Sequence, residues 1–177
     1  MHTPKKSLIL INLIGGLAVL GSYAWGFLTH PNAGEALWGG VPASLQPLYT
    51  ISMFLAAGGY FAFSLYILRL NSSEPKFLKR TSYKIFIALY AGILIPSALW
   101  LPLTLMAVGL ASQALVWLVR LDLALVAIAS LGLLIAIFKV KPQRSTWNHR
   151  LAILGCVFFC FQTVILDAIV WAVNFHL

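Results

Sequence analysis

Only four of the 177 residues are acidic, and charged residues of both signs make up just 9% of the chain. Soluble domains carry about 25% charged residues, so a solvated globular fold is excluded. The motifs of the common enzyme classes are missing as well: there is no Ser-His-Asp or Cys-His set, no His-Glu metal motif and no Gly-rich phosphate loop. There are two cysteines, Cys156 and Cys160. Spaced four apart on a helix they suit neither disulfide geometry nor a metal site, and they read as packing residues. No signal-peptide pattern precedes the first apolar run, which is too long for an h-region and lacks a small-residue cleavage site. No internal repeat is visible.

What the chain does have is length in its apolar runs. Hydrophobic residues make up 61% of it, gathered into five stretches at roughly 7–28, 47–70, 84–108, 113–138 and 151–174. At ~1.5 Å of rise per residue each covers the ~30 Å hydrocarbon core of a bilayer. The expected fold is an all-α integral membrane protein, a single domain over 1–177 built as a bundle of five transmembrane helices. An odd number of spans does not divide into two inverted halves.

The net charge of +8 is a topology signal rather than a nucleic-acid signal. Lys5 and Lys6, then Arg69, Lys76, Lys79, Arg80 and Lys84, then Lys139, Lys141, Arg144 and Arg150 fall at run ends or in three short segments. The remaining cation is Arg120, and the segments between those three, 29–46 and 109–112, hold no Lys or Arg. The positive-inside rule then places the N-terminus in the cytoplasm and the C-terminus outside, with a bacterial inner (plasma) membrane as the expected location. Anionic lipid is the expected partner of the basic loops, and no nucleic acid is expected.

The last run, LAILGCVFFCFQTVILDAIVWAVN, contains one formally charged side chain, Asp167. A carboxylate at bilayer depth costs on the order of 2.5–3.5 kcal/mol on insertion scales, so it is expected to face the bundle interior. The fourth run holds Trp117, Arg120 and Asp122. Arg120 and Asp122 are two residues apart and point to opposite faces, so each needs a partner elsewhere, and an Arg120–Asp167 ion pair is one solution. Counted by depth, these charges share the outer half with Trp25, Tyr49, Trp100 and Trp171, while the inner half reads as purely apolar. The 29–46 segment contains Leu37, Trp38, Val41 and Leu45, which a solvated loop does not need; it is expected to fold down as a lid. Pro96 and Pro102 are expected to bend the third helix, and Gly15, Gly16, Gly21, Gly58 and Gly59 to mark close helix contacts. An aromatic-walled outer cavity with a few polar groups has the composition of a small-molecule site.

Three stretches resemble one known family. Trp38 followed by Pro47-Leu48-Tyr49-Thr50 is similar to that family's loop Trp and its Pro-aliphatic-Trp-Thr step. Ser97-Ala98-Leu99-Trp100-Leu101-Pro102-Leu103 keeps the Trp and Pro of its Asn-x-x-Trp-Ser-Pro-Leu. Leu166-Asp167-Ala168-Ile169-Val170-Trp171-Ala172-Val173-Asn174 matches its Leu-Asn-x-x-Ile-Trp-x-Leu-Asn, with Asp for the first Asn. The chain thus resembles a divergent member of the translocator protein family, the tryptophan-rich sensory proteins or TspO. The resemblance implies a five-helix bundle, commonly a homodimer, that binds porphyrins or sterol-like ligands under the first loop; porphyrin or haem would then be a ligand rather than a required cofactor.

The expected function is therefore sensing or transport of a hydrophobic ligand. Trp25, Trp38, Tyr49, Trp100, Trp117, Arg120, Asp122, Asp167 and Trp171 are the candidate binding residues, and no catalytic or metal-ligating residue is expected. The alternative is a proton-linked transporter or intramembrane acid–base enzyme using Arg120 with Asp122 or Asp167. The topology has a direct test: alkaline phosphatase fused after Leu177 should be active in a bacterial host and a fluorescent protein at that point dark, and the reverse result would invert the bundle.

Overall fold

The computed structural model describes residues 3–70, 80–140 and 147–177; Lys76, Lys79, Lys141 and Arg144 of the basic loops lie outside them. Helix α1 runs over Thr3–Thr29, α2 over Ala33–Trp38, α3 over Gln46–Arg69, α4 over Arg80–Gly109, α5 over Gln113–Lys139 and α6 over Trp147–Cys160. The chain then continues without a break as a π-helix, Phe161–Trp171, and a last α-turn, Ala172–Asn174. Five of these segments are long and apolar enough to cross a membrane. This is the all-α five-span bundle expected, with each boundary within a few residues of its sequence estimate.

Helix α1 packs on α4, α4 on α5, α5 on α6 and the π segment, and α6 on α3, which lightly touches α1 to close the ring. Lipid tails are as apolar as the side chains, so helices associate here through close packing and hydrogen bonds rather than by escaping water. The tightest crossing is α3 against α6, where Gly59 meets Gly155: a Cβ on Gly155 would lie 2.8 Å from the Gly59 Cα. On α1 the contacts fall at Gly15 and Gly26, whose added Cβ atoms would come within 2.8 Å of Leu94 and 2.7 Å of Leu101. Gly16, Gly21 and Gly58 face open space, so of the glycines read as notches only Gly15 and Gly59 serve as such. Helix α4 continues through both internal prolines.

Two side-chain layers fill the bundle. The one toward the basic loops is not purely apolar, contrary to the sequence reading. Tyr60 donates to Asn12 Oδ1 at 2.6 Å, and Ser64 Oγ lies 2.7 Å from the Tyr90 hydroxyl. The rings of Tyr60, Phe63, Tyr90 and Phe159 pack around these bonds, with Tyr60–Phe63 centroids 5.3 Å apart and Phe63–Phe159 centroids 5.5 Å apart. Each polar group sits on a different helix from its partner, so the pair satisfies both in a medium without water. Cys156 and Cys160 are free and buried, and the Cys160 thiol donates to the Ser130 carbonyl at 3.3 Å.

Substituting Gly59 by Val should lower stability by about 1–3 kcal/mol through overpacking against Gly155. Gly58→Val should have little effect. Thermal unfolding of both variants in the same detergent checks the difference.

Candidate functional site

The layer away from the basic loops, termed outer by its position in the bundle, is organised by the last span. Trp171 is 2% exposed, stacks on Phe175 at 4.5 Å and meets Trp100 edge-on at 5.3 Å. Its indole N–H donates to the Leu37 carbonyl at 2.8 Å, which ties the end of α2 to the end of the last helix. Gly39 follows in the left-handed conformation, φ 55°, and a Cβ there would lie 2.6 Å from the Trp171 ring, so both backbone and space demand glycine. Ala33 and Ala36 of α2 pack on Leu101 and Leu105 of α4. The 29–46 segment is thus folded down over the bundle, as its apolar residues suggested.

Beneath it, Trp38 meets Tyr49 edge-on with centroids 6.3 Å apart. Tyr49 is buried and donates to the Leu166 carbonyl at 2.5 Å, and the Trp171 backbone N–H faces the same hydroxyl. A hydroxyl set against the backbone ladder is a recognised cause of local helix distortion, and the π-helix lies at this point. The wider winding has a second consequence. Residues five apart are about 140° apart around an α-helix, whereas a π-turn brings them close to one face. Gln162 accordingly donates to Asp167 Oδ1 at 2.8 Å within one element. Tyr23 and Tyr49 both lie within electrostatic reach of that carboxylate. Asp167 itself is half-buried on the last span. The Trp100 indole N–H and the Gln162 side-chain carbonyl are buried and make no hydrogen bond.

Arg120 does not pair with Asp167. Its Nε donates to the Ala172 carbonyl at 3.1 Å and its Nη2 to the Phe175 carbonyl at 3.2 Å, while the guanidinium lies 4.8 Å from the Trp117 ring centroid. It closes the C-terminal end of the last helix, where carbonyls lack intrahelical donors and the dipole favours a cation. Asp122 is 6% exposed, and its buried Oδ2 makes no hydrogen bond.

Of the nine candidates, the fold brings Trp38, Tyr49, Trp100, Asp167 and Trp171 together. Trp117 is 61% exposed beside the Arg120 guanidinium, and Trp25 is 44% exposed and meets the His30 ring edge-on, at 5.0 Å. Tyr23, Gln162 and Phe175 belong to the site and were not singled out from sequence. The five-residue spacing of Gln162 and Asp167 was the available signal for the first link, but it has meaning only once the π-turn is known. No family model, curated protein or solved structure matches the chain.

If Arg120 and Asp167 act independently, Arg120→Gln should cost about 1.5–3 kcal/mol for the lost charge-assisted bonds, and the cost should be the same in an Asp167→Asn background. A double-mutant cycle by denaturant or thermal unfolding tests this; a coupling above roughly 1 kcal/mol would mean an ion pair.

Proposed function

We propose that this chain is a TspO-like membrane protein that binds a hydrophobic ligand beneath the 29–46 segment, a tetrapyrrole such as protoporphyrin or a sterol-like molecule. The observation that carries the reading is the Trp38, Tyr49, Trp100 and Trp171 cluster beside the half-buried Asp167 carboxylate, with the Trp100 indole N–H and the Gln162 side-chain carbonyl buried and unpaired. Aromatic rings with a few convergent polar groups are the usual lining of a small-molecule site. An unpaired indole N–H and an unpaired amide carbonyl suit a ligand that supplies one acceptor and one donor.

Entry requires the segment to lift. It is held by the Trp171–Leu37 bond, by Trp38 against Tyr49, by the buried Val41 and by the alanine contacts on α4, with Gly39 and Gly40 at φ of 55° and 88° between them. Porphyrin propionates would meet Arg120 only by competing with the Ala172 and Phe175 carbonyls, so the geometry favours the less charged ligand of the two. A homodimer in a bacterial inner membrane belongs to the same proposal.

Proton-linked transport is the second reading. It gains from the Asn12–Tyr60 and Ser64–Tyr90 bonds, because polar groups then continue from Gln162 and Asp167 into the other half of the bundle.

Tryptophan fluorescence of the purified protein, titrated with protoporphyrin IX and separately with a sterol, tests the binding reading. Saturable stoichiometric quenching is expected, weakened about threefold to tenfold by Trp100→Phe and unchanged by Trp25→Phe. Linear, unsaturable quenching by both compounds would sink the reading. Ligand-dependent acidification of proteoliposomes, abolished by Asp167→Asn, would favour the transporter.

A further inference from the structure

A cavity of about 500 Å³ lies away from the aromatic site, between α1 and α4. Leu10, Ile14, Gly15, Ile95, Ala98 and Leu99 are among the residues that line it, and no polar atom contributes to its surface. It runs from Ser7 to Ala18 along α1 and from Ile87 to Leu99 along α4. The eleven and twelve residue steps of these two stretches rise about 17 Å, close to the ~15 Å depth of one leaflet's hydrocarbon. At one end lie Lys6, one residue before Ser7, and Lys84, one turn before Ile87, both exposed, with Lys5 beside them. The cavity therefore has an apolar body one leaflet long and cations at one mouth only.

We infer that this groove is a specific site for an anionic phospholipid, one acyl chain lying between α1 and α4 and the phosphate against Lys6 and Lys84. The groove's length and its charge together fit this occupant. The ammonium group of a zwitterionic lipid would offset the attraction of its phosphate to the cations, and a helix of a second copy would leave the lysines without an anion. Each cation near an anionic headgroup strengthens binding by about fivefold. The helix pair gives the groove its depth, because Gly15 lets α1 close on Leu94 while the branched side chains on either side stand out into lipid.

Native mass spectrometry of the full-length protein, delipidated and titrated with phosphatidylglycerol and with phosphatidylcholine of the same chains, tests this. The first bound phosphatidylglycerol should be retained at least tenfold more strongly than phosphatidylcholine. Lys6→Gln/Lys84→Gln should erase that preference, and Lys139→Gln, an exposed lysine on α5, should leave it intact. Ala18→Phe, which fills the groove from a lipid-exposed position, should weaken both lipids, with thermal unfolding confirming that the variants stay folded. Equal retention of the two lipids in the native protein, or equal loss of preference in the Lys139→Gln protein, would overturn the proposal. So would a dimer that Ala18→Phe dissociates, because the groove would then be a contact between copies.

Discussion

In a hydrocarbon medium every backbone carbonyl that leaves the regular helical ladder needs a donor from the protein itself. The last span concentrates that demand, because its winding changes at Phe161 and it ends inside the bundle's outer layer at Asn174. Other elements answer it one by one. Tyr49 of α3 takes the Leu166 carbonyl, and Arg120 of α5 takes those of Ala172 and Phe175. The traffic also runs the other way, since the Trp171 indole supplies the Leu37 carbonyl at the end of α2. Helices α3 and α5 and the 29–46 segment are thus located by polar contacts with a single helix. The aromatic site arises where those contacts converge.

Packing divides the bundle unevenly. The α3–α6 crossing is backbone on backbone at Gly59 and Gly155, which leaves no slack. Helix α1 is the opposite case: only 6% of its spanning window is buried, and its main neighbour is α4. A helix held on one side can leave a groove beside its contact line, and the α1–α4 cavity lies along that line. The same one-sided attachment lets Tyr23 reach in from α1 toward Asp167 while Leu13, Leu17 and Leu20 face outward, at 58%, 61% and 69% exposure.

Much of this architecture was legible in the sequence, since span number and length follow from apolar runs, and apolar residues in a loop foretold a folded lid. What escaped was whatever depends on partners far apart in the chain. Asn12, Tyr60, Ser64 and Tyr90 each look unremarkable within their own runs, and their bonds exist only because four positions on three helices meet. Arg120 and Asp167 were natural partners by charge and depth, yet a guanidinium beside a helix C-terminus finds two carbonyls without the geometric demands of a buried ion pair. The π-helix was invisible to patterns built on a period of 3.6 residues. It kept Asp167 and Trp171 close to one face, so that part of the reading survived a wrong assumption about winding.

That winding links the two ends of the site. Gln162 reaches Asp167 only while the segment between them remains π-helical, and Tyr49 sits at the Leu166–Trp171 step of the same segment. Trp171 in turn holds the lid at Leu37. Rewinding the segment to an α-helix would therefore separate Gln162 from Asp167 and rotate Trp171 relative to Leu37 in one movement. The polar pair and the lid's anchor are not independent features placed on a rigid scaffold. They are two consequences of one backbone conformation.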